Sequence, residues 1–198
     1  MKTTLTTLTT LAAITLGAAL LAGGAHAQPA QYKIDTTHTK AMWEAKHFAT
    51  STNRGSWDKY EGDVTLDKAA KTGKVDLTID MTSVNTGIAP FNAHLKKEDF
   101  FNVEKFPTAR FVGDKFTFSG DKVTEVSGNL TMLGVTNPIT LKAIGFNCYD
   151  NPFVKREVCG GDFEAIVKRS LFGLNWGLAN KATSDEIKVT IQVEAVKQ

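Results

Sequence analysis

Apolar and polar residues alternate along most of the chain. Between Lys74 and Met81 every second residue is apolar, and the same alternation returns between Ile187 and Ala195. A period of two residues is typical of a β-strand with one buried and one solvated face. Less regular runs of this kind cover Tyr32 to Phe48, Gly62 to Asp67, Ala109 to Phe118, Val126 to Met132, Ile139 to Phe146 and Phe163 to Arg169. The pattern therefore predicts about eight strands.

Short turn signals between these runs indicate hairpin connections. Each supplies a residue that tolerates positive φ or a proline with a fixed φ. Eight mostly antiparallel strands with one apolar face each can form a sandwich or a closed barrel. An eight-stranded barrel is either filled by side chains or holds one small ligand. The signals are Asn53-Arg54-Gly55, Lys71-Thr72-Gly73, Ser119-Gly120-Asp121, Thr136-Asn137-Pro138 and Gly160-Gly161.

One segment, from Ile88 to Glu104, interrupts the strand pattern. Phe91 and Leu95 are four residues apart and Pro90 suits the first turn of a helix, so we expect one or two short helical turns. The overlapping stretch from His94 to Phe111 holds four phenylalanines, more than a solvated loop needs. It must fold over something apolar, which is either the protein's own core or a ligand.

The first 27 residues are typical of a cleaved secretory signal peptide. Lys2 gives a positive start, Leu11 to Ala22 form an apolar stretch, and Ala25-His26-Ala27 is a small-residue cleavage signal. The apolar stretch is shorter than the roughly 20 residues that a bilayer span needs. The predicted mature chain, residues 28–198, has the length of one domain and is expected in the periplasm or outside the cell.

The charge balance argues against a nucleic-acid partner. Since Lys2 is the one charged residue among the first 27, the mature chain carries 22 basic and 21 acidic residues. No extended basic patch is visible in the sequence, as nucleic-acid binding would require.

Two cysteines lie in the mature chain, and an oxidising compartment favours a disulfide between them. Cys148 and Cys159 have ten residues between them. A redox-active pair is the alternative, but it lacks the C-x-x-C spacing that lowers a thiol pKa. We therefore predict a structural disulfide that ties the two arms of a hairpin around Asn151-Pro152.

Four ordered motifs give the chain a resemblance to the YceI family. They are YKIDTTHTKAMWEAKHF on the first strand, the segment HLKKEDFFNVEKFPTARF, GNLTMLGVTNPITL on the next hairpin, and KRSLFGLNW before the last strand. The segment from Cys148 to Cys159 and the pair Asn175-Trp176 depart from the family pattern. The resemblance implies an all-β fold, an eight-stranded antiparallel lipocalin-like barrel in the periplasm. It also implies an apolar tunnel for a long isoprenoid chain, and no catalysis or catalytic cofactor.

A tunnel for a lipid tail needs inward-facing apolar side chains, because an unpaired polar group there costs about 1 to 3 kcal/mol. The alternative is that the same residues fill a solid barrel, which would leave the protein a secreted module that binds partners through its surface. The predicted tail-binding residues are Trp43, Leu77, Ile79, Phe91, Leu95, Phe100, Phe101, Phe111, Leu130, Met132, Val167, Phe172 and Trp176.

Polar residues near these positions are candidates for contact with the lipid head group, namely His38, His47, His94 and Arg169. A diphosphate would favour clustered Lys or Arg, whereas a quinone needs only a few hydrogen-bond donors. We therefore favour an isoprenoid quinone such as ubiquinone over a polyprenyl phosphate. Arg169 has a second interpretation, as a structural arginine paired with Asp35 or Asp99.

Metal binding and catalysis are the weaker hypotheses. His38 and His47 are nine residues apart, which puts them on opposite faces of an ideal strand, so no metal site is predicted. A hydrolase built on Ser170 and His94 would lack a G-x-S-x-G elbow, and H-E-x-x-H and phosphate-binding glycine loops are also missing. The predicted partners are the isoprenoid lipid and, transiently, a membrane; the oligomeric state stays open, with a dimer as one option.

Overall fold

Eleven strands form most of residues 28–198, which are the part of the chain that the computed structural model describes. The predicted signal peptide, residues 1–27, lies outside it. The strands are β1 Ala30–Ile34, β2 Lys40–His47, β3 Ser51–Trp57, β4 Tyr60–Asp67, β5 Thr72–Asp80, β6 Val84–Asn85, β7 Thr108–Ser119, β8 Lys122–Met132, β9 Val135–Asn151, β10 Arg156–Lys168 and β11 Glu186–Lys197.

Eight of these strands close into an antiparallel ring in the order β1-β4-β5-β7-β8-β9-β10-β11, with β11 returning to β1. The predicted fold class, an eight-stranded barrel, is confirmed. The run from Tyr32 to Phe48 is not one strand, because the chain leaves the sheet after Ile34 and rejoins it at Lys40. Both pieces pair with β11. β1 pairs with the last residues of β11, and β2 pairs with its stretch from Lys188 to Gln192. β3 then pairs with β2, and β6 with β3.

Three predicted turns are wrong, because they lie inside strands. Asn53-Arg54-Gly55 belongs to β3, Thr136-Asn137-Pro138 to β9, and Gly160-Gly161 to β10. Glycine is used here for close approach rather than for positive φ. A Cβ on Gly161 would overlap the carbonyl oxygen of Gly145 on β9, next to a β-bulge at Asp162/Phe163.

The true turns lie a few residues away and contain residues with positive φ. Phe48 and Ala49 turn the chain between β2 and β3, Leu133 and Gly134 between β8 and β9, and Lys155 between β9 and β10. Four of these five residues are not glycine, so the signal for positive φ was not visible in the sequence. The predicted turns at Lys71 and Gly120 do match positive-φ positions.

The helical turns predicted between Ile88 and Glu104 are confirmed by α1, Ala89–Leu95, which has Pro90 in its first turn. Two short 3₁₀ helices accompany it, Met81–Ser83 and Arg169–Phe172. Arg169 therefore starts a 3₁₀ helix rather than ending a strand. Within residues 28–198 no helix combines the length and apolar character that crossing a bilayer would require.

The predicted disulfide is confirmed, and it joins neighbouring strands. Cys148 on β9 and Cys159 on β10 are register partners, with their Cα atoms 4.1 Å apart. Hydrogen bonds of the β9–β10 hairpin and the S–S bond therefore hold the same two strands together. The hairpin tip is exposed to solvent, and Phe153 in it is 91% exposed.

We expect the variant C148S/C159S to keep the barrel but to lose about 3 kcal/mol of unfolding free energy, because the short closed loop no longer restricts the unfolded chain. Urea denaturation with and without dithiothreitol measures this. Reduction should destabilise the natural protein and leave the double variant unchanged. Equal stability of the natural and variant proteins under oxidising conditions would contradict the prediction.

Candidate functional site

The barrel interior is not solid but encloses a cavity of about 320 Å³. Its wall is formed by inward side chains of most strands, together with α1 and the loop that follows it. Twelve of the thirteen residues predicted to contact a lipid tail lie on this wall: Trp43, Leu77, Ile79, Phe91, Leu95, Phe100, Phe101, Phe111, Leu130, Met132, Val167 and Trp176. Phe172 is the exception, since it is buried in the second 3₁₀ helix but does not line the cavity.

Sequence reasoning named too few wall residues on the strands that come late in the chain. Ile187, Val189 and Ile191 on β11 line the cavity, and the regular alternation of that strand was a sufficient signal to find them. Trp57 also lines it and was missed because a turn was predicted just before it. The remaining apolar wall residues are Ala41, Ala45, Met81, Ala109, Ile139, Leu141, Ala165 and Leu174.

Aromatic rings close one end of the cavity. We call this end, at His94, Phe100 and Trp176, the mouth. The His94 ring lies edge-on to Phe100 and Trp176, with centroid distances of 4.6 and 5.5 Å, and Phe100 lies 4.9 Å from Trp176. Phe101 lies 5.8 Å from Trp57. Leu95 and Phe100 are almost fully buried. The aromatic stretch after α1 thus packs on the protein's own core and forms part of the cavity wall.

Few polar side chains reach the cavity wall, and they lie towards the mouth. They are His47, Asn53, His94, Arg169 and Thr183. His47 and Thr183 form a bridge that joins the end of β2 to the loop before β11. Three of the four predicted head-group residues, His47, His94 and Arg169, are therefore on the wall.

Arg169 donates its hydrogen bonds to backbone oxygens of the protein itself. Its guanidinium donates to the backbone oxygens of Ser184, Leu174 and Trp176, each at 2.8 Å. Burial lowers its pKa, against the opposing charge of Asp185. The predicted pairing with Asp35 or Asp99 is wrong, because carbonyl oxygens of the loop before β11 take those donors.

A serine–histidine pair is not formed at the mouth in the described part of the chain. The Ser170 hydroxyl donates to Asp185 at 2.8 Å, and the His94 ring packs between Phe100 and Trp176. Asp185 also accepts the Ser170 backbone N–H. Burial opposes ionisation of Asp185, but these hydrogen bonds outweigh it and lower the pKa of that carboxyl. The arrangement anchors the 3₁₀ helix to the start of β11.

His38 does not lie on the cavity wall. It sits on the surface in the break between β1 and β2, where its Nδ1 lies 2.8 Å from Oδ2 of Asp35. The hydrogen bond from His38, followed by that from Thr37, lowers the pKa of Asp35 to about 2. The same hydrogen bond and the charge of Asp35 raise the pKa of His38. The head-group role predicted for His38 therefore has no support from its position.

Two tryptophans on the wall carry buried donors without an acceptor. The indole Nε1 atoms of Trp43 and Trp57 have no hydrogen-bond partner, and no other buried side-chain nitrogen or oxygen in residues 28–198 shares this state. Such an unpaired donor costs about 1 to 3 kcal/mol. The Trp43 ring lies across Gly55, where any Cβ would overlap it, so Gly55 is required for this packing.

A closed eight-stranded barrel with an apolar interior defines a lipocalin-like class of protein. Within that class the chain belongs to the YceI family, whose YceI-like domain matches residues 32–195. A UPF0312 protein of Pseudomonas aeruginosa is 36% identical over 192 residues, 96% of this chain and 98% of that protein.

Two solved structures share the fold. The YCEI protein of Campylobacter jejuni is 27% identical with a TM-score of 0.66, covering 77% of this chain and 90% of that one. A polyisoprenoid binding domain from Saccharophagus degradans is 16% identical with a TM-score of 0.58, covering 84% of this chain and 98% of that one. The second likeness is one of fold alone.

Replacing Arg169 by methionine should loosen the mouth, because three carbonyl oxygens lose their donor. We expect a loss of about 3 kcal/mol or more in unfolding free energy and faster amide exchange in residues 173–184. Urea denaturation and hydrogen exchange measure the two effects. The neighbouring exposed Lys168→Met is the control and should change stability by less than about 0.5 kcal/mol. Unchanged exchange in R169M would contradict the role assigned to Arg169.

Titration of His38 should show a pKa above its ordinary value, and Asp35→Asn should return it towards that value. Since the folded-state pKa is raised, the stabilisation by His38 is complete below about pH 6.5 and is lost as the pH rises through the folded-state pKa. The pKa of Asp35 is lowered, so the stabilisation by Asp35 is lost as the pH falls towards 2. NMR of the imidazole protons measures this, with Asp63→Asn as a surface control. An identical His38 pKa in D35N would refute the pairing.

Proposed function

We propose that this protein binds a long-chain isoprenoid lipid inside its barrel and carries or stores it in the periplasm. The observation that supports this most is the cavity wall, which is apolar apart from a few polar groups towards the mouth. Small-molecule sites have this composition, with apolar lining and few placed polar groups. A volume of about 320 Å³ is at the low end of the usual range of about 300 to 1,000 Å³.

Family membership supports the same proposal. The Saccharophagus degradans domain with this fold is described as a polyisoprenoid binding domain. That likeness supports only the shared fold. Support for lipid binding comes from the apolar cavity wall of this chain. A binding role also fits the mouth better than catalysis, because Ser170 and Asp185 bind each other and Arg169 is bound to backbone oxygens.

The head group that we favour is an isoprenoid quinone, with a polyprenyl phosphate as the second choice. Arg169 is the only Lys or Arg side chain on the cavity wall within residues 28–198, and three of its donors are already used. A buried phosphate would need several cationic donors to offset its desolvation. A quinone carries no charge, so a few hydrogen-bond donors suffice.

A partner-binding module is the second candidate function, and one surface feature favours it. The tip of the β9–β10 hairpin exposes Phe153 and Val154 beside Lys155 and Arg156. Exposed apolar side chains at a hairpin tip are suited to contact with another protein or a membrane. Such contact is compatible with a loaded barrel, so it would accompany lipid binding rather than replace it.

Native mass spectrometry of the mature protein, purified from the periplasm of its own cells, tests the proposal. Organic extraction of the same sample then identifies a bound molecule. A stoichiometric isoprenoid quinone or polyprenyl phosphate is the result that we expect. A mass equal to that of the bare chain, unchanged after lipid is added, would overturn the proposal in favour of the partner-binding module.

A cavity-filling variant tests whether the lipid tail occupies this cavity. Ala165 lines the cavity, whereas the next residue on β10, Ile166, points outwards and is 56% exposed. We expect A165W to lower lipid affinity by about tenfold or more, because overpacking costs about 1 to 3 kcal/mol. The matched control I166W should keep its lipid. Equal lipid content of the two variants in native mass spectra would show that the ligand does not occupy this cavity.

A further inference from the structure

The two unpaired indole donors lie on adjacent strands inside the barrel. Trp43 on β2 is the register partner of Gly55 on β3, and Trp57 is the partner of Ala41. The two tryptophans are thus diagonal neighbours on the inner face, a relation with a Cα separation of about 7 to 8 Å. Both side chains are more than nine-tenths buried, and both line the cavity.

Trp43 lies deeper than His47, whereas Trp57 packs against Phe101 of the loop that closes the mouth. His47 marks the mouth at the end of β2, and Trp43 lies four residues further in along the same strand. At about 3.3 Å per residue this is about 13 Å along the strand from His47. A ligand oxygen that meets the Trp43 indole therefore lies inside the cavity, and one that meets Trp57 lies beneath the Phe101 ring.

Neither donor can be satisfied by solvent in this conformation. Both Nε1 atoms are closed to water, and no protein oxygen within residues 28–198 accepts from them. Indole is a donor only, so it pairs with an acceptor and offers nothing to a hydrocarbon beyond contact area. An occupant that parts the surrounding side chains, or a turn of the indole ring, would bring such an acceptor to the nitrogen.

From this geometry we propose that Trp43 and Trp57 donate hydrogen bonds to an uncharged acceptor oxygen of the ligand, a carbonyl or ether oxygen, and so hold its head group within the barrel. This rests on the proposed function and narrows it. Neutral indoles do not offset the charge of a phosphate, which would remain at the mouth near Arg169. A hydrocarbon tail, in turn, leaves both donors unpaired.

A preference for an oxygen-bearing lipid matters because a bilayer competes with the barrel for the same lipid tail. Lipid chains offer the apolar burial that the cavity offers, so tail burial alone gives little net preference. Two donors that are unpaired in the empty barrel and paired in the loaded one supply a difference that the bilayer interior does not supply. The removal of Trp43 Nε1 or Trp57 Nε1 therefore costs affinity for an oxygen-bearing lipid and not for a hydrocarbon.

Three isoprenoid probes delivered from the same detergent micelles test this: a short-chain ubiquinone, farnesyl phosphate and squalene, which has no oxygen. ¹H–¹⁵N spectra of the indole groups report each tryptophan separately. We expect the ubiquinone to move the Trp43 and Trp57 N–H signals downfield, and squalene and farnesyl phosphate to leave them near their ligand-free positions. W43F and W57F should each weaken ubiquinone binding roughly five- to tenfold and leave squalene binding unchanged.

Trp176→Phe is the matched control, since the Trp176 indole lies at the mouth and is 42% exposed. We expect the ubiquinone affinity of W176F to stay within about twofold of that of the natural protein, which is roughly the effect of a surface substitution. A variant that loses squalene as well has lost its cavity, and the indole spectra of the natural protein then decide. Equal binding of ubiquinone and squalene with unmoved indole signals would overturn this inference and leave the proposed function standing. Binding of none of the three probes would overturn both.

Discussion

Closure of the sheet through β11 is the constraint on which the rest of the structure depends. β11 pairs with β10 along almost its whole length, and its other edge is shared by β2 and then β1. Because every strand of the ring finds two neighbours, most backbone donors and acceptors of the ring are paired, and the remaining edge lies on the branch formed by β2, β3 and β6. Closure also sends alternate side chains of all ring strands to one interior, which is why a cavity wall exists at all.

The interior that closure creates is apolar but incompletely filled. An empty volume of about 320 Å³ gives up contacts that a solid core would make, and unfilled space in a core is destabilising. The protein also leaves two indole donors unpaired on the wall. Stabilising features are concentrated elsewhere, in the long strand pairings and in the disulfide of the β9–β10 hairpin.

The mouth shows how one charged residue can organise a loop without an ion pair. Arg169 holds three backbone oxygens, two of which belong to the loop between the second 3₁₀ helix and Ala182. The planar guanidinium suits this task because its donors have fixed directions. Its charge remains close to the cavity, yet its geometry is set by the protein. The sequence singled out this residue as a candidate for ligand contact, but the partners that it suggested, Asp35 or Asp99, were wrong because the true partners are backbone oxygens.

The sequence by itself determined the all-β class, the helical interruption and the identity of about half of the apolar wall. These follow from period-two alternation and from aromatic content, which are local properties of the chain, whereas the choice of a barrel over a sandwich came from the resemblance to the YceI family. It also predicted the disulfide, since the chain has two cysteines and an exported protein favours their oxidation. The tertiary structure decided the rest. Gly55, Gly160 and Gly161 proved to be sites of close backbone approach, a property of the neighbouring strand that no local pattern records. Whether Arg169 meets a carboxylate or carbonyl oxygens, whether His38 faces the cavity, and whether the Trp43 and Trp57 donors have partners all depend on residues distant in sequence, so only the closed barrel could settle them.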